Sequence, residues 1–80
     1  MSGPNLALAA VQLGAQVRRR QLERGISQKR LALEAGVTLE TIGRIERGKS
    51  NPRLETLWGT AAALDVSLAE LVVAVEREQH

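Results

Sequence analysis

Residues 28–47, QKRLALEAGVTLETIGRIER, constrain the fold more than any other part of the chain. Apolar residues recur at helical spacing on both sides of Gly36, so this stretch predicts two short helices joined by a tight turn. Gly36 can adopt the positive φ with which a chain leaves a helix, and Thr38 is a favourable N-cap for the second helix. Ala32 is small enough to let the two helices approach closely, and Ile42 supplies the inward face of the second.

The same pattern of small, apolar and turn residues continues through roughly residues 13–72. It comprises Gly25, Ser27, Gln28, Leu31, Ala32, Ala35, Gly36, Val37, Thr38, Ile42, Ile45, Glu46, Gly48, Lys49, Asn51, Pro52, Leu54, Leu57, Ala61, Leu64, Val66, Leu68 and Leu71. This set resembles the helix-turn-helix regulators of the Cro and phage-repressor type, also called the XRE type. An A-x3-G-x5-I pattern alone is weak evidence, but followed by I-E-R-G-K-x-N-P and an L-x-x-L helix it is strong. The resemblance implies an all-α fold, a compact five-helix bundle like the lambda-repressor DNA-binding domain.

The chain is expected to form a single domain over residues 1–80. A long first helix from Leu6 to Arg24 is predicted, with Asn5 as its N-cap and Gly25 at its exit. Residues 5–12 extend beyond the usual start of this helix in similar proteins, and residues 76–80 form a polar tail. Ser27 is expected to cap the second helix, which begins at Gln28. The fourth helix is expected to begin at residue 52 or 53, and Ser67 to open the fifth in a capping box.

Helical spacing predicts an inward face for each long helix. The residues expected to face inward are Leu6, Ala9, Ala10, Leu13 and Val17 in the first helix, Leu54, Leu57, Trp58, Ala61 and Leu64 in the fourth, and Leu68, Leu71, Val72 and Val75 in the fifth. Trp58 is the only aromatic residue, so the core must be mainly aliphatic. Its spacing favours packing in the core or in an interface over stacking on a nucleic-acid base.

Composition excludes several classes of function. The chain has no Cys, a single His at its end and a single Asp, so it lacks the residues for disulfides, thiolate metal sites or the common catalytic centres. We therefore expect no enzyme activity, no metal and no cofactor. No signal peptide or membrane-spanning stretch is recognisable, which predicts a cytoplasmic protein that does not associate with membranes.

The net charge of +2 conceals an asymmetry. Residues 1–53 contain ten Lys and Arg against four Glu, a balance of +6, whereas residues 54–80 contain one Arg against five acids, a balance of −4. A basic half that carries the helix pair suits a polyanionic partner. If the charge asymmetry is considered alone, the alternative interpretation is an ordinary solvated surface with no such partner.

The resemblance makes the third helix the recognition helix, whose N-terminal and outward residues meet base edges. The candidate base-reading residues are Leu39, Glu40, Thr41 and Arg44. Arg44 can bond guanine, Glu40 can accept from cytosine, and Leu39 can contact a thymine methyl. The alternative is that these four are merely exposed helix residues.

The candidate phosphate-binding residues are Gln28, Thr38, Arg47, Lys49, Asn51 and Arg53. In similar proteins the residue matching Gln28 binds a backbone phosphate, and a helix N-terminus itself attracts anions. Arg47 and Lys49 could instead compensate the dipole at the end of the third helix. The chain has Gln21 where similar proteins have an Arg that pairs with the residue matching Glu46, so either Arg20 or Arg24 replaces that partner or Glu46 is more exposed.

The function expected from this pattern is a homodimeric repressor that binds double-stranded DNA at a pseudo-palindromic operator. Restriction-modification controllers, phage repressors and antitoxins are the candidate types. The alternative is a protein-interaction module that binds a toxin or another protein. Apolar residues around the fifth helix suggest a dimer interface formed by Leu71, Val72, Val73 and Val75, unless Val73 and the first helical turns cover each other within one chain.

Overall fold

The computed structural model describes residues 3–79, which form five helices. These are α1 (Leu6–Arg24), α2 (Gln28–Ala35), α3 (Leu39–Glu46), α4 (Leu54–Ala63) and α5 (Leu68–Arg77). Residues 3–79 contain no strand. The predicted all-α architecture with five helices is confirmed.

Side-chain caps begin four of the five helices, as the sequence predicts. Asn5, Ser27 and Thr38 each accept a hydrogen bond from a backbone N–H three residues on. Ser67 opens α5 in a full capping box with Glu70, which satisfies two otherwise unpaired groups of that helix end. α4 begins at Leu54, slightly later than predicted, and its N-cap Arg53 makes no capping side-chain bond.

The turn between α2 and α3 requires Gly36. Its φ is 73°, a left-handed conformation in which a side chain would be strained. The next residue, Val37, donates its backbone N–H to the Ala32 carbonyl at 3.0 Å and packs against the core. This turn closes α2 and brings α3 across it.

The core is aliphatic and draws on every helix. Its buried cluster consists of Leu13, Val17, Leu31, Ala32, Ile42, Ile45, Ala61, Ala63, Leu64 and Leu71. The inward faces predicted for α2 and α3 are confirmed, since Leu31, Ala32, Ile42 and Ile45 are all buried. Burial of such side chains is the main source of stability in a domain of this size.

Four of the residues expected to face inward are instead largely exposed. Leu6 is 62% exposed, Leu54 61%, Trp58 58% and Val72 44%. Leu6 and Leu54 lie in the first turns of their helices, away from the buried cluster. Trp58 faces solvent because α4 turns the next two residues inward.

Gly59 and Thr60 explain the orientation of α4. A Cβ at Gly59 would lie 2.7 Å from the Ala35 carbonyl oxygen, so only a glycine lets α4 approach the end of α2 this closely. Thr60 is fully buried, and its hydroxyl donates to the Thr56 carbonyl at 2.8 Å. These inward residues leave Trp58 on the outer side of the helix.

Gly14 plays the corresponding role between α1 and α3. A Cβ at Gly14 would overlap the Ile45 carbonyl oxygen and lie 2.9 Å from that of Glu46. Both neighbours are backbone atoms, which cannot rotate away. The close approach of α1 to the end of α3 therefore depends on this glycine.

The N-terminal extension is joined to the end of α5. The Gln12 side chain donates to the Glu78 carbonyl at 2.8 Å, and the Gln79 side chain donates to Gln12 Oε1 at 3.0 Å. The Asn5 backbone N–H donates to Gln79 Oε1 at 3.2 Å. The tail predicted at residues 76–80 is therefore helical to Arg77 and bonded to α1 at residues 78–79, and residue 80 lies outside the described part.

Among the described residues, no single helix is both long and apolar enough to cross a membrane. α4 and α5 meet that length and composition only as a pair, with a bend of 106° between them.

Candidate nucleic-acid interface

The start of α3 is organised by two threonines. Thr38 Oγ1 accepts the Thr41 backbone N–H at 3.1 Å, and the two hydroxyl oxygens lie 2.8 Å apart. Thr38 is exposed and Thr41 half-buried. The N-terminal end of α3 thus presents ordered hydroxyl groups at the surface.

Three of the candidate base-reading residues share the outward side of α3. With about 100° per residue, Glu40, Thr41 and Arg44 fall within an arc of about 100°, and the buried Ile42 and Ile45 lie outside that arc. The Arg44 guanidinium donates to the Lys49 carbonyl at 3.4 Å. This long bond leaves the other guanidinium donors available for a partner.

Leu39 occupies a different side of the same helix. It is 49% exposed and lies about 100° from Glu40 and about 140° from Arg44. The structure therefore groups Glu40, Thr41 and Arg44, with Leu39 at the margin of that surface.

Gln28 is tied to the end of α3. Its Nε2 donates to Glu46 Oε1 at 3.0 Å. The same oxygen lies 3.6 Å from the Arg18 guanidinium, and the Glu46 side chain is only 2% exposed. Arg18 and Gln28 are thus the partners of Glu46.

The expectation for the Glu46 partner was wrong in both of its forms. Glu46 is not exposed, and neither Arg20 nor Arg24 pairs with it among residues 3–79. Arg18 lies one turn before Gln21 on α1 and reaches the carboxylate from there. Gln21 instead donates to the Ile26 carbonyl at 2.6 Å.

Arg24 has a structural role. Its guanidinium donates to Glu34 at 3.3 Å and to the Ala63 carbonyl, so it joins α1 to α2 and α4. Two hydrogen bonds, the one from Arg30 with the larger effect and the one from Arg24, hold the pKa of Glu34 below its ordinary value. These contacts occupy Arg24 away from the end of α3.

The basic residues at the C-terminal end of α3 differ from most others in the chain. Arg18, Arg19, Arg24, Arg30 and Arg53 each form an ion pair with a glutamate. Within residues 3–79, no carboxylate pairs with Arg44, Arg47 or Lys49, and all three are exposed. This end of α3 therefore carries positive charge that the described chain does not neutralise.

Asn51 and Arg53 are placed less favourably than the other candidate phosphate-binding residues. Arg53 pairs with Glu55 at 3.0 Å. Asn51 lines an apolar groove together with Leu13 and Val72. Neither has a contact that links it to Gln28 or to the end of α3.

The expected dimer-interface residues separate into two groups. Leu71 is fully buried in the core of its own chain, so its assignment to an interface was wrong: it has no surface left for a partner. Val75 is half-buried against the core. Val72 and Val73 remain 44% and 41% exposed, because α5 is covered by α1 and α4 on its other sides.

Sequence reasoning missed Arg18 and the packing role of Gly14. The signal for Gly14 was its position inside a long helix, where glycine costs about 1 kcal/mol relative to alanine and so suggests a packing requirement. No comparable signal singled out Arg18 among the four arginines near the end of α1.

Comparisons with known proteins identify the family and agree with the fold. Residues 17–71 match the family model HTH_3, described as helix-turn-helix. An uncharacterized HTH-type transcriptional regulator of Sinorhizobium fredii, y4dJ, is 33% identical over 80% of this chain and 83% of its own length. A regulator of the same description from Haemophilus influenzae is 45% identical over 65% of this chain, which spans only 53% of that protein.

A solved structure is similar over nearly its whole length. The restriction-modification controller protein C.AhdI from Aeromonas hydrophila superposes with a TM-score of 0.75 at 34% identity, covering 78% of this chain and 94% of its own. Motif, fold and relatives agree, and the chain therefore belongs to the HTH_3 helix-turn-helix family, the XRE type of DNA-binding transcriptional regulators.

Proposed function

We propose that α3 reads operator sequence in the major groove of double-stranded DNA through Glu40, Thr41 and Arg44, with Leu39 at the edge of the contact. One observation supports this proposal above all. The exposed cations at the C-terminal end of α3, on and just after its outward side, pair with no carboxylate of the described chain. Arg44 suits guanine O6 and N7, and Glu40 suits the amino group of cytosine. Such contacts specify sequence, whereas phosphate contacts set position.

The proposed phosphate contacts flank that helix. Gln28 opens α2, where free backbone N–H groups favour an anion, and its bond to Glu46 fixes it beside the end of α3. Arg47 and Lys49 lie at the same end, and Thr38 lies at the opposite end of α3. Asn51 and Arg53 complete the set as peripheral contacts.

The proposed active form is a homodimer on an operator with two half-sites. Val72 and Val73 on α5 are exposed apolar residues of the kind that a second copy covers. A two-fold axis would place two recognition helices about 34–36 Å apart, one turn of DNA, and so match a pseudo-palindromic operator.

Repression by occluding RNA polymerase is the proposed mode of action, in the cytoplasm. The similarity to C.AhdI favours a controller of a restriction-modification system over the phage-type and antitoxin-type alternatives. Neither a cofactor nor a metal has a role in this mechanism.

A second candidate function is binding of a partner protein, such as a toxin. The observation that favours it is the set of exposed apolar residues on the C-terminal half, Leu54, Trp58, Val72 and Val73. Pull-down from native lysate separates the two: a stoichiometric protein partner supports this alternative, and its absence with retained DNA binding supports the regulator.

Selection of bound duplexes from a random DNA pool tests the proposed function. We expect enrichment of a pseudo-palindrome whose half-site centres lie about one helical turn apart. Failure to enrich any sequence would reject operator recognition, and enrichment of single half-sites would reject the dimer. A footprint upstream of the chain's own gene would then test autoregulation.

A further inference from the structure

An apolar groove lies beside the exposed face of α4. It has a volume of about 290 Å³ and is lined mainly by apolar side chains from α1, the loop before α4, α4 and α5, among them Leu13, Pro52, Leu57, Val72 and Val75. Sites for drug-sized ligands span about 300–1,000 Å³. The groove is therefore at the lower limit for such a ligand and better suited to one large side chain.

Trp58 is the side chain that this face exposes. It is the only aromatic residue of the chain, it is 58% exposed, and it does not line its own groove. Leu57 lines the groove, and in rotation about α4 Leu54 falls between Leu57 and Trp58. Leu54 and Trp58, both exposed, thus follow Leu57 in order around α4, on the side where the groove lies.

We propose that Trp58 of a second copy of this chain occupies the groove and anchors the homodimer. Because the groove and Trp58 lie on the same side of α4, a two-fold axis lets each subunit insert its Trp58 into the groove of the other. Both subunits then contribute the same surface to the interface. Tryptophan is prominent among residues that dominate interface energies when buried in a pocket. This inference rests on the proposed homodimer and adds the residue that holds it.

The lining of the groove includes an acceptor for the indole N–H. A buried Trp usually donates this hydrogen to an acceptor. Glu76 lines the groove, and among residues 3–79 no cation pairs with its carboxylate. Among the polar residues of the lining, Glu76 is the one that carries a charged acceptor.

The fluorescence of Trp58 reports directly on this contact, because no other aromatic residue interferes. We would dilute the purified full chain and follow emission wavelength and acrylamide quenching beside sedimentation equilibrium. We expect emission to move to shorter wavelength and quenching to fall in step with the dimer fraction. A dimer whose Trp58 stays as quenchable as in the monomer would overturn the anchor while leaving the homodimer intact.

Substitution tests the same contact without fluorescence. We expect Trp58→Ala to raise the dimer Kd about 30-fold or more, Glu76→Ala to raise it by less, and Trp58→Phe to retain most of the affinity. Leu33→Ala is the matched control, since Leu33 is 75% exposed on α2 and outside this face. Circular dichroism would verify that each variant is folded.

Two outcomes contradict the proposal in different ways. A folded Trp58→Ala variant that dimerises like the parent would show that the interface lies elsewhere. A parent chain that is monomeric at every concentration and also on operator DNA would reject both the anchor and the homodimer itself.

Discussion

Gln28 donates a hydrogen bond of 3.0 Å to Glu46, which ties the first residue of α2 to the last residue of α3. The bond crosses the helix pair at the end opposite its turn. Together with the turn at Gly36 it holds the pair at two points. A phosphate contact made by Gln28 is therefore fixed relative to the helix proposed to read bases.

Glu46→Ala should destabilise the fold. Glu46 is buried and accepts from Gln28 while it pairs with Arg18, and hydrogen bonds to charged groups contribute about 1.5–3 kcal/mol. Thermal unfolding should show a decrease of that size in the free energy of unfolding. Glu55→Ala is the control, because Glu55 and its partner Arg53 are both exposed and such pairs contribute little. Equal melting temperatures for the two variants would contradict a structural role for Glu46.

Gly14→Ala and Gly43→Ala should have different effects on the free energy of unfolding. At Gly14 a Cβ overlaps a backbone carbonyl of α3, whereas at Gly43 it meets only the flexible end of Arg47. Overpacking at Gly14 should cost about 1–3 kcal/mol. Gly43→Ala should be neutral or stabilising, since alanine favours a helix by about 1 kcal/mol over glycine. Denaturant unfolding of both variants measures this contrast, and a stable Gly14→Ala protein would argue against the close α1–α3 approach.

Lys49→Ala should weaken binding to all DNA sequences about equally. If Lys49 neutralises one phosphate, the slope of log K against log salt should fall by roughly one. Titration of one duplex at several salt concentrations gives this slope. Arg77→Ala, on the acidic half of the chain, serves as the control and should leave the slope as it is. An unaltered slope in Lys49→Ala would remove Lys49 from the phosphate contacts.

Arg44→Ala should relax specificity at one base pair in each half-site. Loss of a bidentate contact to guanine costs about 1–3 kcal/mol, while affinity for random DNA should fall less. Binding to a panel of single-base operator variants measures the preference at each position. Arg19→Ala removes an equal charge from α1 and should leave the preference intact. The base-reading role would be refuted by a variant whose sequence preference matches that of the parent.

Local signals in the sequence were sufficient for the five helices and for the starts of four of them. Asn5, Ser27, Thr38 and Ser67 cap helices as predicted, because a capping hydroxyl or amide bonds a backbone group only three residues away. Gly36 and the burial of Ile42 were predictable for the same reason: turn chemistry and helical periodicity depend on neighbours along the chain.

The sequence by itself thus determined the five helices, the helix-turn-helix pair and the basic end of α3. Only the tertiary structure decided which side of α4 faces outward, and that Arg18 rather than Arg20 or Arg24 reaches Glu46. The rotation of a packed helix depends on close contacts with distant segments, such as Gly59 against Ala35 and Gly14 against Ile45. Periodicity within one helix predicts which residues share a face. The neighbouring helices determine how far that face is turned toward the core.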